Sequence, residues 1–344
     1  MGTDPLNNFI MNNKSILNEL NIIFDNCQRL KKYKMCAINK FSDNCSTKII
    51  KAHSISKSAV LKNISTKING KHVLGYFKKT KPIEPTPLLH RIREKYIDIN
   101  SALTFTGLCK FHDNTLFENI DKNPFDLSNP QIIFEYTLRN CIYSYYNRLS
   151  NTKGIDESLK YLKSKQFDFS HIENIPANTI ATEKNIIYKD LEKLCNNLYS
   201  EDRFNIILYK IIPYEGNINI AGCLYNVHKD EASYITILPG IVKSYIIISA
   251  IKKDNILQKN GFFQFVRSIG IFDFEHFLSE KLLQATEINS YVFNYDKFQT
   301  LDDSIKDTIY TWLDFENMDK IYEDSIRYEV LGEVPNFIQI MLDK

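Results

Sequence analysis

The chain has 344 residues, of which 44% are apolar and 24% are charged, and its formal net charge is +2. This is a globular composition, and the length is sufficient for two domains. With only 11 Gly and 10 Pro, the sequence argues against long flexible linkers.

The cysteine pattern bears on the compartment and on metal binding. The seven cysteines are Cys27, Cys36, Cys45, Cys109, Cys141, Cys195 and Cys223. The first residues lack the basic and apolar regions of a secretory signal, and apolar runs such as Tyr245–Ile251 are too short to span a bilayer. We therefore expect a reduced, cytoplasmic protein with no membrane partner, in which clustered Cys and His indicate metal binding rather than disulfides.

The charge is distributed unevenly along the chain. The first 125 residues hold 20 Lys and Arg against 10 Asp and Glu, whereas the rest of the chain has an acidic excess. A basic segment joined to an acidic one is typical of a nucleic-acid-facing module attached to a different module. A chance fluctuation in a Lys-rich composition would give the same imbalance.

The hydrophobic spacing predicts different secondary-structure elements in the two parts of the chain. The elements predicted in the first half are a helix over 14–33, a strand at 48–52, a weak helix at 57–64, a hairpin turn and strand over 69–77, a charged loop at 78–87 and a short helix over 109–121. The turn-rich stretch 121–130 contains two Pro and no periodicity, and it predicts a domain boundary. We therefore predict domains over residues 1–125 and 130–344.

The second half predicts an α+β domain with an antiparallel sheet flanked by helices. Its predicted helices are 131–149, 156–165, 183–199, 274–285 and 304–313, and its predicted strands are 204–212, 217–226, 234–239 and 244–252. The four strands are close together in sequence, so hairpins and an antiparallel meander are expected.

A metal site is the first candidate for chemistry. Cys109 and His112 are separated by two residues at the entry to a predicted helix, and Cys36 and Cys45 are separated by eight. Thiolate and imidazole ligands suit tetrahedral Zn²⁺, and a metal would stabilise a basic segment with few large apolar residues. The alternative is that each cysteine is a small buried hydrophobic residue.

His53 ends a predicted strand in the stretch IIKAHSIS, which the stretch GLCKFHDN follows later in the chain. Together with Cys36 and Cys45, these stretches resemble the zinc-braced HNH (His-Me finger) nucleases. Among them, the chain is similar to a bacterial group with the signature AHSI…GxCxxHDxxxF. The resemblance covers roughly residues 36–121, about a quarter of the chain, and it implies an N-terminal ββα-metal fold of treble-clef type.

The resemblance also implies roles for individual residues. Cys36, Cys45, Cys109 and His112 would bind a structural Zn²⁺. His53 would be the general base, and Asp113 with Asn114 would hold a catalytic Mg²⁺ or Mn²⁺. Lys51, Lys57 and Lys62 would contact the phosphate backbone. The implied activity is metal-dependent hydrolysis of phosphodiester bonds in DNA, or alternatively in RNA, with a role in bacterial defence by fold-level analogy.

The sequence departs from the HNH pattern beside His53. Ala52 stands where the family often has a metal ligand, and the middle Asn of the family name has only Asn63 or Asn69 as a match. One alternative is therefore a zinc-stabilised nucleic-acid-binding module without catalysis. Another is an active centre in the C-terminal β region, around His228. The C-terminal domain would bind a protein partner or ligand that the sequence leaves undefined.

Overall fold

The computed structural model describes residues 33–42, 44–46, 48–83, 86–164, 175–228, 230–252, 268, 270–284, 290–318 and 334–343. The predicted first helix over 14–33 lies outside these residues except for Tyr33, and Cys27 also lies outside them.

The described residues form two antiparallel sheets. The strands are β1 Ile49–His53, β2 Thr66–Ile68, β3 Lys71–Ile83, β4 Thr86–Asp98, β5 Thr104–Cys109, β6 Ile207–Glu215, β7 Ile220–His228, β8 Glu231–Leu238, β9 Lys243–Ile251 and β10 Tyr291–Phe293. Strands β1 and β5 pair with each other as a small sheet. The other eight strands form a large sheet with the order β2-β3-β10-β7-β8-β9-β6, in which β4 lies beside β3.

Helices flank the large sheet, so the predicted α+β class with antiparallel sheets is confirmed. The helices are α1 Lys110–Leu116, α2 Glu118–Lys122, α3 Pro130–Ser164, α4 Ile175–Asn196, α5 Ile271–Gln284, α6 Tyr295–Gln299, α7 Asp303–Met318 and α8 Phe337–Met341, with short 3₁₀ turns at Leu61–Ile64 and Glu201–Phe204. The 3₁₀ turn at 61–64 is all that forms of the weak helix predicted over 57–64.

Side-chain alternation along the strands produces two cores. On β8, Ala232 and Tyr234 face a core that also contains α3, α4 and the small sheet. Ile235 and Ile237 face the opposite core, which contains α5, α7 and α8. This period of two is expected for a sheet that is covered on both faces.

The predicted hairpin turn at Asn69-Gly70 is confirmed, whereas the loop predicted at 78–87 is wrong. Asn69 and Gly70 both have positive φ, at 50° and 76°, as the turn between β2 and β3 requires. Residues 78–83 and 86–87 instead belong to β3 and β4, which form a long hairpin. The register shifts at Pro82, where β3 pairs with β4 alone, and an edge position of this kind tolerates Pro.

The second half matches its predicted elements closely. Strands β6 to β9 lie within a few residues of their predicted ranges, and β7, β8 and β9 form a meander. Strand β6 pairs with β9 at the edge. The predicted helices 131–149 and 156–165 are one helix, α3, which continues through Gly154.

The predicted boundary at 121–130 is a turn-rich connection between α2 and α3. Strands from both sides of it share the large sheet, and one core contains residues from both sides. Whether residues 1–125 and 130–344 fold independently stays a prediction. In the described part of the chain, no helix combines the length and apolar character that a membrane crossing requires.

Gly75 allows β3 to pass close to β10. A Cβ atom at this position would overlap the ring of Phe293, which is fully buried. We expect Gly75→Ala to lower the free energy of unfolding by about 1–3 kcal/mol, because the packed ring must move. Urea denaturation would measure the loss. Gly270→Ala is the control, since its Cβ would meet no described atom nearer than 3.5 Å, and an equal loss in both variants would contradict the packing argument.

Candidate functional site: a Cys/His cluster beside a histidine cavity

Cys36, Cys45, Cys109 and His112, here called the Cys3His cluster, come together from three segments. Their ligand atoms all lie within 4.8 Å of one another. The Nδ1 atom of His112 is 3.2 Å from the Sγ of Cys36 and 3.3 Å from the Sγ of Cys109. Cys45 is partly exposed, and the other three residues are buried.

Backbone hydrogen bonds position the ligands. The amides of Met35 and Ala37 donate to the carbonyls of Thr106 and Gly107, so the segment around Cys36 lies alongside β5. Strand β5 ends at Cys109, which is the N-cap of α1 and accepts a hydrogen bond from the backbone N–H of His112 on its Sγ. The two-residue spacing thus places both ligands at the start of one helix.

The donor set fits a tetrahedral metal ion. Zn–S and Zn–N bonds of about 2.3 and 2.0 Å imply S···N separations of about 3.5 Å at tetrahedral angles, close to the distances around His112. The Nε2 atom of His112 is 3.0 Å from the Oγ of Ser42, a partner that fixes the orientation of the ring. The Cys3His cluster could therefore hold a metal ion such as zinc.

The thiols differ in acidity. Burial raises the pKa of Cys36 to about 12. Burial also acts to raise the pKa of Cys109, but hydrogen bonds from the His112 amide and from Ser46 outweigh it and lower this pKa to about 7. Burial lowers the pKa of His112, which favours the neutral imidazole that a metal requires.

A cavity of about 200 Å³ lies next to this cluster. Helix α1 connects the two, since it carries both His112 of the cluster and Asp113 of the cavity lining. His53 and Asp113 both line this cavity, and the shared catalytic role expected of them stays a prediction. The lining residues are Lys51, Ala52, His53, Ser56, Lys57, Ser58, Asp113, Asp121 and Arg139.

His53 is held in a defined tautomer. It ends β1, where it pairs with Thr104 of β5, and its Nε2 atom is 3.2 Å from the carbonyl oxygen of Ile99. A carbonyl only accepts hydrogen bonds, so Nε2 carries the proton and the neutral ring keeps its lone pair on Nδ1. Burial lowers the pKa of His53, and the charges of Lys57 and Arg139 lower it further.

Two carboxylates and one arginine form the opposite wall. Arg139 of α3 is only 2% exposed, and its guanidinium contacts Asp121 Oδ1 at 2.9 Å and Asp113 Oδ1 at 3.3 Å. Burial raises the pKa of Asp113, which Arg139 counteracts. The buried Nε of Arg139 has no hydrogen-bond partner among the described residues, so one donor is left for another acceptor.

The remaining predicted residues differ in position. Lys51 donates to the Oγ of Ser101 at 2.9 Å, and Lys57 donates to the Oδ1 of Asn100 at 3.0 Å. Both lysines are exposed and line the cavity, whereas Lys62 and Asn114 are exposed outside its lining.

Sequence reasoning did not identify Asp121, Arg139 or the carbonyl of Ile99. Arg139 lies within the apolar stretch YTLRNCIYSYY, and a charged residue on such a buried helix is a detectable signal. Asp121 belonged to the predicted linker, and no sequence signal marks a backbone carbonyl. The side chain of His228 lies outside the described residues, so the alternative centre around it stays a prediction.

We found no significant match for this chain among models of known protein families, among curated proteins or among solved structures. The site must therefore be interpreted from its own geometry.

We expect the purified protein to carry about one zinc ion per chain, because four ligand atoms converge at tetrahedral separations. His112→Ala should lose the metal and lower the thermal midpoint, since metal binding contributes to folding. Elemental analysis with calorimetry would measure both effects. Cys141→Ala is the control, because Cys141 is also a buried thiol but is not one of the four ligands. A folded wild-type protein without bound metal would refute the site.

Proposed function

We propose that this protein is a metal-dependent endonuclease of HNH type that hydrolyses phosphodiester bonds of DNA. The observation that carries the proposal is that His53, Asp113 and two lysines line one cavity beside a Cys3His cluster. In this proposal the bound metal is zinc, and the small sheet with α1 is the ββα unit. The cytoplasmic location and the role in bacterial defence belong to the same proposal.

His53 is the general base of the proposed reaction. Its Nδ1 lone pair accepts the proton of a water molecule as that water attacks phosphorus. The hydrogen bond from Nε2 to Ile99 keeps the ring in the tautomer that this step needs. The lowered pKa keeps the ring neutral near pH 7, so the base is ready without prior deprotonation.

The carboxylates of Asp113 and Asp121 would hold the catalytic Mg²⁺ or Mn²⁺, because hard cations prefer carboxylate oxygen ligands. When bound, such an ion supplies charge stabilisation to the phosphate and to the leaving oxygen. Asp121 thus provides the second carboxylate that Ala52 cannot provide. Lys51 and Lys57 attract the phosphate backbone without selecting a sequence.

A binding module without catalysis is the second candidate, and the contacts of Arg139 favour it. Its guanidinium already pairs with both carboxylates, and Ala52, which is 1% exposed, offers no ligand atom. Such a module would bind nucleic acid with a steep salt dependence and would not cleave it with any divalent ion. The bound partner would be the same in both cases.

Replacing His53 tests the base. With Mg²⁺ or Mn²⁺ and plasmid DNA, we expect His53→Ala to cut about 10²–10⁴ times more slowly than the wild type. His72→Ala is the matched control, since His72 lies outside the cavity and bonds Ser65. Zinc content and thermal midpoint should be equal in both variants. Cleavage by His53→Ala at the wild-type rate would remove the role given to this residue.

The pH dependence gives a separate test of the same base. Because the pKa of His53 is lowered from 6.5, the neutral, active form is populated above a midpoint below pH 6.5. We expect kcat/KM, which reports the free protein, to rise with pH through that midpoint and to level off above it. Lys57→Gln removes a charge that lowers this pKa, so it should move the midpoint to higher pH. A midpoint above 6.5 in the wild type, or one that Lys57→Gln leaves unchanged, would contradict the assignment.

A further inference from the structure

The hairpin of β3 and β4 forms a two-stranded ribbon. One of its faces packs against the core, where Ile92 is buried and Glu94 bonds Tyr310 of α7, and Lys78 and Lys95 of the other face are exposed. Near its base, β3 also pairs with β2 and, at Gly75, with β10. From Tyr76 to Ile83, β3 pairs only with β4 among the described strands. We call residues 76–83 and 86–95 the ribbon.

The ribbon is strongly basic. Its residues include six Lys and Arg against one Glu. Tyr76 pairs with Lys95 and Lys78 pairs with Arg93, so Lys78, Arg93 and Lys95 share one face. Arg93 is neutralised by Asp314, but Lys78 and Lys95 are exposed and form no ion pair within the described residues. These two lysines leave unneutralised positive charge on this face, which an anion can bind.

The base of the ribbon is part of the cavity rim. The turn that follows β4 supplies the carbonyl of Ile99 to His53, the amide oxygen of Asn100 to Lys57 and the hydroxyl of Ser101 to Lys51. An anionic polymer bound along the ribbon would therefore be led to the cavity. The exposed lysines of both regions would contact successive phosphates.

The shape of the ribbon selects among nucleic acids. The major groove of B-DNA is about 12 Å wide and admits a two-stranded β-ribbon. The major groove of A-form RNA is deep and too narrow for side chains to enter. We therefore propose that the ribbon binds the major groove of duplex DNA and presents the duplex to the cavity. This inference rests on the proposed function, and it names duplex DNA as the substrate class.

The ribbon can be tested by binding alone. In the full chain carrying His53→Ala, Lys78→Thr with Lys95→Thr removes two positive charges from exposed strand positions. We expect the plot of log K against log salt for a fluorescent duplex DNA to lose about one unit of slope for each lysine. The unaltered ribbon should bind duplex DNA more tightly than duplex RNA of the same sequence.

The matched control is Lys184→Ala with Lys189→Ala, which removes the same charge from α4, a helix that packs against α3 and β8. It should leave the slope unchanged. An unchanged slope in the ribbon variant, an equal loss in the control, or equal affinity for duplex RNA would each overturn the inference. If binding depended on the ribbon but the wild type did not cleave DNA, the proposed activity would be overturned. If cleavage depended on His53 but binding did not depend on the ribbon, only the inference about the ribbon would be overturned.

Discussion

The convergence of Cys36, Cys45, Cys109 and His112 is the constraint on which the N-terminal site depends. The cluster joins the loop around Cys36 to the end of β5 and the start of α1. Asp113 directly follows His112, so fixing the imidazole also fixes where this carboxylate meets the cavity. A metal ion bound by the Cys3His cluster would therefore fix the position of Asp113 in the cavity without lying in the cavity itself.

Both halves of the chain line the cavity, because Arg139 of α3 lies there with residues of the first half. The residue after Arg139, Asn140, is fully buried and donates to the carbonyls of Leu224 and Ile235 in the large sheet. Helix α3 is thereby anchored to the sheet while its neighbouring side chain pairs with Asp113 and Asp121. The sheet thereby fixes the helix that carries Arg139 into the cavity lining.

Local patterns predicted the parts of the structure that short-range chemistry decides. The spacing of Cys109 and His112 predicted two ligands at a helix start, and Asn69-Gly70 predicted a turn. The charged, proline-bearing stretch 78–87 was predicted as a loop because its strand pairing depends on a partner strand rather than on its own residues. Asp121 and Arg139 meet only through the packing of α2 against α3, which no local pattern contains.

The charges of the cavity lining bear differently on phosphate binding and on phosphodiester hydrolysis. Three cationic side chains, Lys51, Lys57 and Arg139, face two carboxylates, and a neutral His53 adds no charge. In the proposed function, this wall would attract a phosphodiester before any divalent ion is present, so binding would not require that ion. The proposed hydrolysis would require the ion, because a guanidinium that is paired with both carboxylates is not free to stabilise the charge that develops on the leaving oxygen. If Asp113 and Asp121 bound no divalent ion, the cavity would still bind DNA through its lysines but would not cleave it. Under this proposal, the choice between nuclease and binding module depends on whether a divalent ion can displace Arg139 from the two carboxylates.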